Sequence, residues 1–386
     1  MLDGFRFGFR VVTELGRLLL GRVQGDSGVV PRRLDEVDAT WLSAVLGVRF
    51  PGASVNAVRT LSEDSGTTSR RRVAVEYAPG RRPDGAPASV FVKLRPPGLA
   101  EELFGRIFDL GPTEVAFYQN ARPSLEVRAP ELYAARLDRS GAYALVLEDL
   151  HGTGAVFKTI ADEVTLSEAE SVVDALARLH ASFWGSTGFP WLRRAGDLRN
   201  AAVERFVCRR AHRPTLDRFA DLLPQSVGRG ASVIHTKRPA LERYWAAGPL
   251  TMIHGDSHVG NAYFVGREAG FFDWQVTQWH QGVRDLAYFL VLSVDIELRR
   301  LHERELFERY CERLIEGGVR RSDIDSDWLF ERYRSFSLYA YMGASVTATM
   351  SELQPEALAR IGLRRAATAV DDLDALSILR RLPRAR

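Results

Sequence analysis

At 386 residues and 46% hydrophobic content the chain can bury a full core, and its 52 basic against 49 acidic side chains leave a formal charge of only +3. That balance excludes the broad basic face that nucleic-acid binding needs. Cys208 and Cys311 are the only cysteines, which excludes a disulfide framework and fits a reducing cytoplasm. The longest apolar run, at 286–294, is about half the ~20 residues of a membrane span, so no spanning segment is expected.

The first stretch scatters Arg6, Arg10, Arg17 and Arg22 among apolar residues; a secretory signal needs an unbroken apolar run, so residues 1–33 read as an amphipathic arm. LDEVDATWLSAVLG at 34–47 has helical spacing, after which VNAVRTL, RRVAVEY and SVFVKL alternate as strands of an antiparallel meander. The polar loop SEDSGTTS at 62–69 separates the first two strands, and APGRRPDGAPA at 78–88 is a turn before the third. From Gly98 to Arg122 the spacing is helical, with Pro112 suited to a first turn, and YALVLEDL at 143–150 is a buried strand. Beyond 151 helices dominate: SEAESVVDALARLHASFW is one, and 198–247 holds others around an Arg-rich loop at 226–240. ELRRLHERELFERYCERLIE at 297–316 interleaves six Glu with five Arg, the pattern of a solvated helix laced by ion pairs. The aromatics Phe330, Tyr333, Phe336, Tyr339 and Tyr341 could stack on a flat or quaternary-ammonium ligand, but core packing is their expected role.

The chemistry concentrates in MIHGDSHVGNAYFVGREAGFFDWQ at 252–275. Asp256 precedes Asn261 by five residues, the offset that in a kinase catalytic loop puts a proton acceptor and a magnesium ligand at one γ-phosphate. AYFV and GFFD joined by a four-residue GREA turn would pair Asp273 with Ala262, beside Asn261, and bring together two hard oxygen donors suited to Mg²⁺. A competing assembly of His254, Asp256 and His258 as a zinc or two-metal hydrolase lacks the strong His-rich motifs, and His254 reads as a buttress of the loop.

Among 49 arginines there are three lysines, Lys93, Lys158 and Lys237, so an ammonium at Lys93 inside an apolar strand marks a compact cation for phosphate. Glu114 is the helical carboxylate expected to orient it, ahead of Glu101 and Glu102. Ser65, Gly66 and Thr67 could offer backbone N–H groups to phosphate. GTGAVFKT at 152–159 nearly matches a phosphate-binding loop, but Phe157 replaces its second glycine, so Lys158 reads as a surface residue.

LVLEDL at 145–150, LARLHASFW at 176–184, HGDSHVGN at 254–261, and FFDWQ with RDLAYFL at 284–290 resemble, in order, the blocks of the aminoglycoside/choline-kinase-like phosphotransferases. The likeness extends to their ecdysteroid-kinase-like (CHK kinase-like) group and its bacterial relatives. The resemblance implies an α+β, bilobal protein-kinase-like fold, with an N-terminal antiparallel sheet lobe at 34–150 for nucleotide and a larger, mainly helical C-terminal lobe at 151–386. It implies Asp256 as catalytic base, Asn261 and Asp273 on magnesium, Lys93 with Glu114 positioning phosphate, and the backbone from Glu148 to Leu150 as the adenine hinge. Asp285, ahead of an apolar helix, is an N-cap or a support of the catalytic loop. The expected cofactors are ATP and Mg²⁺, and the expected reaction is γ-phosphate transfer to a hydroxyl of a small molecule. The alternatives are a catalytically silent nucleotide-binding protein and the metal-dependent hydrolase.

Overall fold

The computed structural model describes residues 2–23, 30–350 and 354–383. The chain divides into two compact units, Gly8–Ser124 with Ala129–Ala155, and Val156–Arg386 with Leu125–Arg128 and Met1–Phe7. Helix α1 (Leu2–Val23) fills most of the stretch read as an amphipathic arm, whose residues 24–29 lie outside the described residues.

The first unit is built on an antiparallel sheet of β1 (Val55–Ser65), β2 (Ser69–Tyr77), β3 (Ser89–Leu94), β4 (Leu132–Leu137) and β5 (Tyr143–Glu148) in the order β1-β2-β3-β5-β4. The side chains of β3 alternate: Val90, Val92 and Leu94 enter a core with Leu42, Val45 and Leu46 of α2 (Ala39–Arg49), and Lys93 faces the other way. Each such fully buried Val or Leu contributes ~1.5–3 kcal/mol. Asp38 starts α2 by accepting from the Trp41 N–H at 2.7 Å. The loop expected at 62–69 is shorter than its composition suggests. Ladder pairing runs on to Ser65 opposite Ser69, leaving Gly66–Thr68 as the turn, because Glu63 and Asp64 find cross-strand partners in Arg71 and Arg70.

The helical stretch after Gly98 is broken into α3 (Leu99–Ile107) and α4 (Leu110–Ala116) by Asp109, whose φ of 55° is left-handed. Pro112 sits in the first turn of α4, where its missing N–H is no loss.

The second unit is mostly helical: α5 (Leu166–Ser182), α6 (Leu198–Arg218), α7 (Gln225–Gly230), α8 (Ser232–Ala246), α9 (Val283–Ser293), α10 (Ile296–Glu316), α11 (Ser326–Thr349), α12 (Glu356–Asp372) and α13 (Ala375–Arg381). Its short strands are β6 (Val156–Phe157), β7 (Thr251–Ile253), β8 (Ala262–Val265), β9 (Glu268–Phe271) and β10 (Gln278–His280), in sheets ordered β6-β8-β9 and β10-β7. Thr165 and Glu168 form a full capping box on α5.

The loop expected at 226–240 is helical, as α7 and α8. Burial of Val227, Ile234, Leu241 and Trp245 outweighs the arginines and Pro239 that suggested irregular chain. Helix α10 carries the expected ion pairs, yet Arg299 is not solvated: it is buried between Glu303 and Asp372. No helix among the described residues is long and apolar enough to cross a membrane.

Candidate active site

The segment 254–261 joins β7 to β8, and hydrogen bonds from inside the second unit hold its backbone. The Asp285 carboxylate accepts from the N–H groups of His254 at 2.6 Å and Gly255 at 3.0 Å, and its Oδ2 lies 3.4 Å from His180 Nε2. Ser257 Oγ donates to the Asp285 carbonyl at 2.8 Å, and Ser293 Oγ accepts from Val259 N at 2.9 Å. Asp285 is therefore the loop support. It is not the N-cap, a position held by Gly282. Burial raises the Asp285 pKa, but the hydrogen bond and charge of His180, with His254 and Arg284, outweigh that and hold the carboxyl below its usual range. Glycine is required at 255. Its φ is +90°, and a Cβ there would lie 2.4 Å from the Val276 carbonyl oxygen.

His254 is fully buried and both ring nitrogens are used. Nδ1 accepts from Asp256 N at 3.2 Å, so the proton on Nε2 is donated to the Phe272 carbonyl at 2.9 Å. Burial lowers its pKa, favouring this neutral form. A histidine so committed has no lone pair for zinc, which removes the ligand the hydrolase reading needs.

Asp256 emerges from this frame with its side chain 32% exposed. Asn261 Nδ2 donates to its carbonyl at 2.8 Å and to its Oδ2 at 2.9 Å. His258 Nε2 lies 3.6 Å from the same oxygen, and Tyr288 is near enough to the carboxylate to lower its pKa. His258 Nδ1 accepts from Gly260 N at 3.0 Å, which puts the ring proton on Nε2, toward Asp256. Burial pushes the Asp256 pKa up, and its interactions with His258, His254 and Tyr288 more than reverse it, leaving the group well below the ordinary carboxylate range.

Asp273 was expected opposite Ala262 across a four-residue turn. The hairpin instead closes in two residues, Gly266 and Arg267, with Val265 paired to Glu268 and Ala262 to Phe271. Gly266, at φ 61°, supplies the positive φ that tight hairpins favour. The slip is an even number of residues and so preserves the face. Phe272 N donates to the Asn261 carbonyl at 3.0 Å, and Asp273 then turns through a left-handed φ of 65°. Asp256 and Asp273 both raise the pKa of His258 against the effect of burial, so the two carboxylates share one imidazole neighbourhood. With Asn261 Nδ2 committed to Asp256, its Oδ1 and the Asp273 carboxylate are the hard-oxygen donors that could hold a metal. That set suits a magnesium ion whose remaining ligands are phosphates and water. No cluster of three or more His, Cys, Asp or Glu side chains able to hold a metal alone occurs among the described residues.

In the first unit Lys93 Nζ lies 2.6 Å from Glu114 Oε2, both side chains at most 4% exposed. Glu102, a rival for that pairing, is engaged by Arg95 at 2.7 Å and Arg106 at 3.2 Å, while Glu101 is exposed. Ser65, Gly66 and Thr67 sit at the β1–β2 turn, Ser65 as the last residue of β1. The Glu148 N–H donates to the Glu131 carbonyl at 2.9 Å at the end of β5, and Leu150 begins a short 3₁₀ turn capped by Asp149. Lys158 is not a free surface cation: its ammonium pairs with Glu168 at 2.6 Å, locking β6 to the start of α5.

Tyr288 escaped the sequence reading, and Tyr339 was expected to pack in the core with its neighbours. Tyr288 stands three residues after Asp285, on the same face of α9, and that spacing was the available signal. Of the five Phe and Tyr residues on α11, Tyr333, Phe336 and Tyr341 are buried and Phe330 stacks on Tyr333. Only Tyr339 is a half-exposed ring beside the loop, 5.8 Å from Tyr288.

Residues 60–323 match the phosphotransferase enzyme family, APH, and the chain belongs to that family. Among solved structures it is similar to spectinomycin phosphotransferase APH(9)-Ia in complex with ADP and spectinomycin, at 13% identity and a TM-score of 0.52, over 88% of this chain and 99% of that one. It is also similar to a choline/ethanolamine kinase family protein of Mesorhizobium loti (14% identity, TM-score 0.48, 83% and 92% covered). A third likeness is to Plasmodium vivax ethanolamine kinase (10%, 0.47, 81% of each chain). No curated protein matches in sequence. The fold is therefore kinase-like α+β, and the class is small-molecule phosphotransferase.

Proposed function

We propose that the chain transfers the γ-phosphate of ATP to a hydroxyl of a small molecule, with Asp256 as the base. The observation that carries this reading is the loop itself. Asn261 is bonded to Asp256 at 2.9 Å and Asp273 is near enough to His258 to raise its pKa, which supports a base and two oxygen ligands serving one site. The acceptor oxygen attacks phosphorus, the bond from the γ-phosphorus to the β,γ-bridging oxygen breaks, and ADP leaves with that electron pair. The hydroxyl proton passes to Asp256.

Its depressed pKa makes Asp256 a weak base, suited to orienting the hydroxyl and taking the proton late, when the bond to phosphorus is largely made. Asn261 Oδ1 and Asp273 would hold magnesium, which when bound neutralises charge on the phosphates. In the first unit the Lys93–Glu114 pair presents a fixed ammonium for the α- and β-phosphates, and Ser65–Thr67 offer backbone N–H groups. Glu148 to Leu150, running from the end of β5 into the 3₁₀ turn that follows it, is the stretch we assign to adenine. That spectinomycin phosphotransferase was solved with ADP supports a nucleotide donor.

The test is ADP release from Mg·ATP across a panel of hydroxylated compounds, by the native chain and by Asp256→Ala. Stimulated release abolished by the substitution is expected; turnover that survives it refutes the assignment.

A further inference from the structure

Beside Asp256 the helices α9 and α11 form a wall whose composition points to the acceptor, granted the phosphotransferase reading above. Along α11, Tyr339, Gly343, Val346 and Thr347 are half-exposed on a helix otherwise largely buried, a stripe at helical spacing. Across from it Tyr288 of α9 is the half-exposed residue of an otherwise buried helix. The Tyr288 hydroxyl lies 3.5 Å from where a Cβ on Gly343 would be, and Tyr288 is near enough to Asp256 to lower its pKa. Glycine in a helix interior is unfavourable. Here it keeps open the space in front of Tyr288 that a side chain would enter.

The charges around this space are already matched. Arg284 is buried with its guanidinium 4.1 Å from the centre of the Tyr339 ring, and it donates to the Tyr339 hydroxyl. A second cation brought to that ring would meet the first. Glu204, close enough to raise the Tyr339 pKa, is held by buried Arg238 at 3.5 Å, and Arg238 is further paired with Glu242 at 2.8 Å. Asp256 is engaged by His258, Asn261 and Tyr288. Glu204 and Asp256 are thus already matched, which disfavours a polycation or a quaternary ammonium against them, whereas a flat apolar ring finds the open side of the Tyr288–Tyr339 pair.

We infer that a groove over Gly343, flanked by the packed Tyr288–Tyr339 pair, binds the acceptor, and that the acceptor is an uncharged, ring-bearing alcohol whose ring lies against the tyrosines with its hydroxyl at Asp256. The probe is 2-(2-naphthyl)ethanol, a flat neutral alcohol. Its binding to the full chain is measured by calorimetry and saturation-transfer NMR without nucleotide, with choline and kanamycin as cationic comparators, and ADP release is followed separately. Naphthylethanol is expected to bind, and Tyr339→Ala and Gly343→Leu should each weaken it about tenfold, with affinity for an ATP analogue changed less than about twofold. Absence of binding, or binding indifferent to both substitutions, overturns the inference. So does tighter binding of choline or kanamycin that Glu204→Gln abolishes. Binding without ADP release sustains the groove and refutes phosphate transfer, whereas ADP release with the cations alone sustains transfer and refutes the groove.

Discussion

The Asp285 carboxylate grips the backbone of the catalytic segment through His254 N at 2.6 Å, and so acts on Asp256 without touching substrate. Asp285→Asn replaces two charge-assisted bonds by at most one amide oxygen, at a fully buried position. A loss of ~1–3 kcal/mol of stability is expected, and displacement of Asp256 should lower kcat about a hundredfold with little change in the KM for ATP. Thermal denaturation and ADP-release kinetics check both. A fall confined to KM contradicts this role.

Lys93 and Glu114 share a buried contact, so removing one leaves the other charged in an apolar setting. Lys93→Met should destabilise the first unit by ~3–5 kcal/mol, and the double variant Lys93→Met/Glu114→Leu by less than the sum of the two single changes. Chemical denaturation of the three variants closes the cycle. Additive effects would show that the contact carries no coupling.

Asn261 and Asp273, as a two-oxygen set, predict a defect that added metal partly cures. Asn261→Ala and Asp273→Asn should each raise the Mg²⁺ concentration for half-maximal ADP release, while Asp256→Asn stays inactive at any concentration. Titration with MgCl₂ at fixed ATP separates the roles; rescue of Asp256→Asn by magnesium would exchange them.

Stability should fall with acid in two stages. His235, its ring tilted against that of His212 with centroids 4.6 Å apart, is pushed by burial from 6.5 down to about 4, so the unfolded chain takes up a proton that the native state refuses. Native stability thus drops as pH falls from about 6.5 to about 4, and His235→Gln should flatten that limb. Asp256 and Asp285 are held below the ordinary 3.8. Their contribution is complete above that value and is lost only as pH falls through the lower native values. Melting temperature against pH, with and without His235→Gln, is the measurement.

Gly343→Ala should raise stability by ~0.5–1 kcal/mol, since the added Cβ meets only the Tyr288 hydroxyl at an ordinary 3.5 Å. A loss of stability would mean the space is already filled by neighbouring side chains.

Much of this was legible in advance because it is local. Alternation gave the strands around Lys93, and a five-residue offset within one loop joined Asp256 to Asn261. The hairpin register was misjudged because turn length decides pairing, and Gly266 allows a two-residue closure that the GREA string does not announce. The Arg-rich stretch at 226–240 concealed helices whose stability comes from tertiary burial rather than propensity. Tyr339 could not be told from its neighbours because α11 buries most of its circumference, leaving its open face without a periodic signature.

The scarcity of lysine has a further use. All three ammonium groups are held: Lys93 by Glu114, Lys158 by Glu168, and Lys237 by the Leu382 carbonyl at 2.6 Å. Each amine must leave its partner before an acylating reagent can modify it, so the labelling rate at each reports the local opening of its own region. Lys93 reports on β3, Lys158 on the start of α5, and Lys237 on the docking of the C-terminal segment. The native chain thus carries three built-in chemical reporters of local opening, one in the first unit and two in the second, with no engineered tag.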